Sequence, residues 1–211
     1  MKVVIISGGD LGDVDYIEEH LPEWDLIICA DGGARHLEKL NLRPNILVGD
    51  FDSISPTLLQ KYKEMDITVE PYPREKDWTD TQIAVDLAID KGADWVYIIG
   101  GLGSRWDHSY ANIMLLYRLA KKGVRAKILH INNTIEIAND ILEIRGQVGQ
   151  TLSLLPFSQD VIVESSQGLA YPLDNLTLAL DFPLGISNIL KKEKAIVKIS
   201  QGWLLGVLTN E

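Results

Sequence analysis

Up to about residue 130, the chain alternates two hydrophobic patterns. Short continuous apolar runs are followed by stretches whose apolar residues recur every three or four positions. "KVVIIS" (2–7), "LIICA" (26–30), "NILV" (45–48), "DITVE" (66–70), "WVYIIGG" (95–101) and "RAKILHI" (125–131) read as strands. Between them, "DGGARHLEKL" carries Ala34, Leu37 and Leu40 at helical spacing. "SPTLLQKYKEM" opens on the helix-start residues Ser55 and Pro56. "DWTDTQIAVDLAIDKG" places Ile83, Ala84, Leu87 and Ala88 on one face and ends at Gly92, and "DHSYANIMLLYRLAKKG" closes at Gly123. Strands apolar throughout and alternating with helices predict a parallel α/β sheet with both faces covered.

Beyond about Asn132 the helical period disappears. "TIEIAN", "DILEIRG", "QTLSLLPF", "DVIVESSQ", "NLTLAL", "EKAIVKIS" and "WLLGVLTN" are short strands, often alternating, separated by turn residues. That rhythm predicts a β-sandwich or barrel. The expected organisation is therefore an α/β domain over 1–130 and an all-β domain over 131–211, joined by the short "INNT".

Composition narrows this picture. With 211 residues, 46% hydrophobic and 24% charged, the chain is of ordinary globular make-up. Its apolar runs fall short of the roughly 18–20 residues of a membrane span. The opening "MKVVIISGGD" reads as a first strand without the h-region of a signal peptide, so no membrane partner is expected and the expected location is cytoplasmic. A single cysteine, Cys29 in an apolar run, excludes an internal disulfide framework and a thiolate metal site. Net charge is −10, and residues 1–125, with 14 basic and 21 acidic side chains, carry most of it. Nucleic acid, which needs a basic face, is not an expected partner. A polyphosphate remains possible where metal ions bring the positive charge.

In a parallel α/β sheet, ligands bind beyond the carboxyl ends of the strands. Polar residues follow the apolar runs there: Asp31-Gly32-Gly33 after "LIICA", "GDFDS" (49–53) after "NILV", and "GLGSRWDH" (101–108) after "WVYIIG". "KDWTD" (76–80) opens a helix in the same region. Taken singly, Asp31, Asp77 and Asp80 fit helix capping, and "GGLGSRW" lacks the last glycine of a dinucleotide fingerprint. His108 fits a hydrogen bond at a helix end, while His20, His36 and His130 lack ligand spacing and read as structural or surface residues. Capping does not explain six aspartates, Asp31, Asp50, Asp52, Asp77, Asp80 and Asp107, on one sheet edge. Asp50 and Asp52 in particular repel unless a cation lies between them. Closely spaced carboxylates suit Mg²⁺, which uses one or two of them plus substrate phosphates. No G-x-x-x-x-G-K-[ST] occurs. The residues thus point to a Mg²⁺-dependent enzyme acting on a nucleotide polyphosphate.

"ADGGA", "VGDFDS", "KDWTDTQIA" and "GGLGSRWDH", in this order and spacing, resemble the thiamin pyrophosphokinase (thiamin diphosphokinase) family. "LGISN" (184–188) and "GWL" (202–204) match its C-terminal signatures, and the resemblance covers nearly the whole chain. It implies transfer of the diphosphoryl group of the co-substrate ATP to the hydroxyl of thiamin, giving thiamin diphosphate and AMP. It also implies an α/β nucleotide domain, a C-terminal β-sandwich that binds thiamin, and a homodimer. The site would lie between the N-terminal domain of one chain and the C-terminal domain of the other.

On this resemblance Asp50, Asp52 and Asp80 would hold Mg²⁺, and Arg105 would contact phosphate, since guanidinium donors match phosphate oxygens. Asp31 and Asp107 would position metal, water or nucleotide. Lys76, Asp77, Thr79 and Gln82 would line the helix start, with Gly32, Gly101, Gly103, Ser104 and His108 around the nucleotide. Trp203 would stack on a thiamin ring, and Ser187 and Asn188 would bond the pyrimidine edge. Trp24, Trp78, Trp95 and Trp106 read as packing residues, Trp78 and Trp106 near the site. Two rival readings remain: a sugar-nucleotide transferase, which also places an Asp-x-Asp on a metal–diphosphate, and a non-catalytic ligand-binding protein.

Overall fold

The computed structural model describes residues 1–52, 54–65, 67–75 and 77–210. It divides into two compact units, Met1–Ile131 and Asn132–Glu211.

The first unit runs β1 (Lys2–Ile6), α1 (Val14–His20), β2 (Leu26–Ala30), α2 (Ala34–Lys39), β3 (Ile46–Gly49), α3 (Pro56–Glu64), β4 (Thr68–Pro71), α4 (Asp80–Asp90), β5 (Trp95–Ile99), α5 (Trp106–Lys121) and β6 (Arg125–His130). Its strands are parallel and stand in the order β6-β5-β1-β2-β3-β4. Val3, Val4, Ile5 and Ile6 are wholly buried, as a central strand covered on both faces must be. Cys29 is buried too; burial first, and then the Asp31 carboxylate, push its thiol pKa up.

From β1 the chain winds through β2 and β3 to β4 on one side, then returns to place β5 and β6 on the other. The connections leaving β1 and β5 therefore diverge, and a crevice opens between them at the carboxyl edge. Helix α1 was not legible in the periodicity, because Ile17 is the only one of its seven residues that is buried. Its start is fixed by Asp13, whose side chain accepts from the Tyr16 N–H.

The second unit is built of antiparallel strands: β7 (Asn133–Ala138), β8 (Ile141–Arg145), β9 (Thr151–Pro156), β10 (Asp160–Gln167), β11 (Leu176–Ala179), β12 (Asn188–Ile189), β13 (Lys194–Gln201) and β14 (Leu204–Thr209). One group stands in the order β12-β9-β14-β7 and the other β11-β10-β13-β8. Leu152, Leu154, Leu204 and Leu208 from the first meet Leu142, Val161, Val163, Leu178 and Val197 from the second in one core. Strand β12 has only two residues, too few to show an alternation in sequence.

Candidate active site

Strand β3 ends at Gly49, and a tight turn follows. Phe51 adopts a left-handed conformation, φ 61°, and its ring packs against the core. The Asp52 N–H donates to Asp50 Oδ1 at 3.2 Å. A non-glycine residue in this region is strained, a feature that gathers at functional sites.

Gly49 itself has φ 142°, and a Cβ there would lie 2.6 Å from the Cβ of Asp31. Glycine lets Asp31, which follows the neighbouring strand β2 in register (Ala30 opposite Val48), stand beside the turn. As a result Asp31, Asp50 and Asp52 each bring a carboxylate oxygen within 4.8 Å of the others. Asp31 is 3% exposed. Three hard oxygen donors of one sign, one of them buried, fit a hard divalent cation.

Asp80, expected beside Asp50 and Asp52, lines the same cleft from the first turn of α4, whereas Asp31 and Asp50 leave adjacent strands. The capping readings of Asp77 and Asp80 fall. Thr79, not Asp77 or Asp80, caps α4 by accepting from the Gln82 N–H at 3.1 Å. The N-cap positions of α2 and α5 are Gly33 and Arg105, not Asp31 or Asp107.

A second wall is built from glycine loops. The loop after β1 is laced to that after β5: Ser7 N–H donates to Ile99 O, Gly9 N–H to Gly100 O and Asp10 N–H to Leu102 O, at 2.6–2.8 Å. A side chain at Gly9 would run into the Leu102 carbonyl. Helices pin both loops from outside. Arg35 Nη2 on α2 donates to Gly8 O and Gly9 O, and His36 Nε2 lies 2.9 Å from Gly9 O. Thr81 on α4 donates to Ser7 Oγ, and Asn112 on α5 to Gly101 O.

His36 is buried, and burial first, then the Arg35 and Lys39 charges, outweigh its Gly9 contact and hold its pKa below the usual histidine value. It is a neutral imidazole that donates from Nε2, and its Nδ1 has no hydrogen-bond partner among the described residues.

Arg105 and Asp107 form a forked ion pair, Nη2–Oδ2 2.6 Å and Nε–Oδ1 3.3 Å. That hydrogen-bonded guanidinium holds the exposed Asp107 carboxyl below the ordinary range. His108 Nε2 lies 3.9 Å from the same carboxylate.

These walls enclose an open cleft of about 950 Å³ within the first unit. Of the expected residues, Asp31, Gly32, Asp50, Asp52, Thr79, Asp80, Gly101, Gly103, Ser104, Arg105 and His108 line it. Asp77, Gln82 and Asp107 do not, Gln82 sitting half-buried within α4. Lys76 lies outside the described residues.

The cleft also takes in the loop Ser7–Gly12 and the side chains of Arg35, His36, Lys39 and Arg74, which sequence reasoning missed, and Trp78, which was expected near the site. The signal for the loop was present, since "GGDLG" follows the first strand as the other clusters follow theirs. Arg74 pairs with Asp52 at 3.6 Å. The tryptophans expected to pack are in part exposed, Trp24 at 38%, Trp78 at 55% and Trp106 at 71%, the last still stacked on Tyr110. Trp95 does stack, on Tyr97.

In the second unit, Ser187 lies against the middle of β9 and Trp203 just past its end. The Ser187 N–H donates to Ser153 Oγ, and the Trp203 carbonyl accepts from Phe157 N–H. The two contacts fall four positions apart along the chain, about 13 Å if extended. Ser187 is exposed and Trp203 half-buried just before β14. Asn188 is 2% exposed. Its Oδ1 accepts from the Tyr171 and Ile189 N–H groups and its Nδ2 donates to Tyr171 O, so its amide is directed at the chain's own backbone.

Residues 12–128 match the family described as "Thiamin pyrophosphokinase, catalytic domain". Residues 134–204 match "Thiamin pyrophosphokinase, vitamin B1 binding domain". The sequence is 29% identical to a thiamine pyrophosphokinase of Bacillus subtilis (strain 168), covering all of both chains. It is 25% identical to thiamine pyrophosphokinase 1 of Oryza sativa subsp. japonica, over 81% of this chain and 75% of that one. The fold superimposes on the crystal structure of the Bacillus subtilis thiamine pyrophosphokinase with a TM-score of 0.88, at 28% identity over the whole of both chains. It superimposes on the thiamin pyrophosphokinase of Geobacillus thermodenitrificans with 0.85, at 27% identity over 100% of this chain and 98% of that one.

Proposed function

The chain belongs to the thiamin pyrophosphokinase family, which transfers the diphosphoryl group of ATP to thiamin, and we propose that its cleft at the carboxyl edge of the parallel sheet is where ATP and a divalent cation are held. The observation that carries this reading is the convergence of Asp31, Asp50 and Asp52 beside loops of bare backbone. Mg²⁺ is the cation whose chemistry suits that donor set; bound there it supplies positive charge to the phosphate oxygens.

The protein's own groups do the rest. Phosphoryl-type transfer is governed by positioning and charge neutralisation more than by covalent chemistry. The Ser7–Gly12 and Gly100–Ser104 loops let phosphates approach the backbone closely. Arg105, exposed at the mouth of the cleft, offers its guanidinium to phosphate oxygens, with Asp107 orienting it through the fork. Asp80 lines the same cleft as a further ligand for the cation, and His108 stands there beside the nucleotide.

Thiamin binding is assigned to the second unit, with Trp203 stacking on a ring and Ser187 offering its hydroxyl. Asn188 acts there by holding the Tyr171 backbone in place. A homodimer is part of the same proposal: Tyr171, Leu180, Phe182, Leu184 and Ile186 are all about half or more exposed, an apolar set suited to cover by a second copy. Among the described residues no helix is long and apolar enough to cross a membrane.

Incubation with thiamin, ATP and Mg²⁺ tests the assignment. AMP and thiamin diphosphate are expected in equal amounts, and a chelator should abolish both. A sugar-nucleotide transferase would instead release a nucleoside diphosphate from its own substrate, and a non-catalytic binding protein would form no product.

A further inference from the structure

Helix α2 places Arg35 and Lys39 one turn apart, and both line the cleft. Like charges at that spacing destabilise a helix unless an anion lies between or beside them. In a chain of net charge −10 a nearby carboxylate would be the ordinary remedy. Neither cation has one: among the described residues Arg35 and Lys39 make no ion pair, and Glu38, between them in sequence, pairs with Lys61 of α3.

Arg35 is also held in place. Its Nη2 donates to the carbonyls of Gly8 and Gly9, in the loop that forms one wall of the cleft. A guanidinium has five N–H donors, so its Nε and Nη1 remain for a ligand. Beneath the pair, His36 is buried and neutral, adding no third charge.

We propose that Arg35 and Lys39 form a polyphosphate-binding wall of the cleft, separate from the Arg105 contact, which takes the phosphate chain of the nucleotide. The inference rests on reading the cleft as the ATP site and adds two direct phosphate ligands to it. Because the recognised chemistry is the phosphate chain alone, inorganic tripolyphosphate binds the same wall and adenosine does not depend on it.

The test is equilibrium binding of ATP, inorganic tripolyphosphate and adenosine to the full chain in Mg²⁺, for the wild type and for Lys39→Gln, Arg35→Gln and Arg35→Lys. Lys39→Gln and Arg35→Gln should each weaken ATP and tripolyphosphate by about tenfold, the loss of one charge-assisted hydrogen bond. Adenosine should bind within about twofold of wild type, and Arg35→Lys should recover part of the loss. Among the described residues Lys39 makes no hydrogen bond to the loop, unlike Arg35, so its effect separates anion binding from a purely structural role. If Arg35 only fastens the loop, Arg35→Gln lowers the melting temperature and Lys39→Gln changes no affinity, which overturns the inference. Failure of tripolyphosphate to bind the wild type also overturns it. ATP binding that Asp50→Asn abolishes but Lys39→Gln leaves intact would sink this inference while leaving the ATP-site reading standing.

Discussion

The two units of the chain display their chemistry differently. In the first, parallel strands all end at one edge, and the residue after each strand falls there whatever the helices do. Reading the residues that follow the apolar runs therefore found Asp31, Asp50, Asp52, Arg105 and His108, all of which line one cleft. In the second, antiparallel strands end alternately at both edges, and side chains are sorted by face, not by end. Its sequence announces a core but no site; Ser187, Asn188 and Trp203 became candidates only through resemblance to a family. The lesson is that topology decides how much of a site a single sequence can reveal.

The largest effect is expected where the first unit concentrates its charge. Asp50→Asn or Asp52→Asn should lower kcat by roughly 10²-fold or more, the scale of losing a main electrostatic element. Without metal, the melting temperature of either variant should equal or exceed that of wild type, because repulsion within the trio is relieved. Near-wild-type turnover in both would erase the contrast between the units.

Complementation carries the comparison across a dimer. Asp50→Asn and a crippling Trp203 variant, each inactive alone, should regain about a quarter of wild-type activity when unfolded and refolded as an equal mixture. If the protein is the proposed dimer with each site shared between chains, half of randomly paired dimers are mixed, and each mixed dimer keeps one intact site. Mixed dimers that form but stay inactive would contradict a site shared between chains.

Gly49→Ala probes the architecture beneath the carboxylates. A Cβ placed 2.6 Å from that of Asp31, at φ 142°, should cost about 1–3 kcal/mol of stability. It should also reduce activity by spreading the trio. Unchanged stability in denaturant titrations would mean that Asp31 moves freely and the cluster is not built as described.

Trp203→Ala addresses the second unit. Loss of a stacking contact should raise the KM for thiamin by between about 2- and 30-fold and leave that for ATP nearly unchanged. Equal rises in both would return Trp203 to a packing role.

The smallest effect is a pH dependence. Burial first holds the folded-state pKa of His36 below its value near 6.5 in the unfolded chain. The unfolded chain then takes up the proton first, so stability is full above about pH 6.5 and declines as pH falls toward the folded value. His36→Gln, which retains a donor for the Gly9 carbonyl, should flatten that decline. An identical pH–stability curve would exclude His36 as its source.

What the sequence left hidden has physical causes. Helix α1 buries too little to show a period, and β12 is too short to alternate. The loop after β1 carries a strand-end signal like the others, but in "GGDLG" its one charged group is an exposed aspartate and Leu11 is buried in the core. Arg35, Lys39 and Arg74 reach the cleft only through tertiary placement, which spacing along one helix or loop does not announce. The closeness of Asp31 to Asp50 and Asp52 depended on the register of β2 against β3, which a single sequence does not specify. Exposure of Trp78 and Trp106 ran against the rule that large aromatics are buried on average.

On the proposed reading, Asp31, Asp50 and Asp52 together hold a divalent cation at the phosphates. The Mg²⁺ dependence of AMP formation in Asp31→Asn, measured against wild type at saturating thiamin and ATP, tests it most directly. The half-maximal Mg²⁺ concentration should rise by about tenfold or more, the weight of one charged ligand, with activity partly recovered at high Mg²⁺. An unchanged half-maximal concentration would show that Asp31 is not a ligand and that the cation, if bound, is held elsewhere.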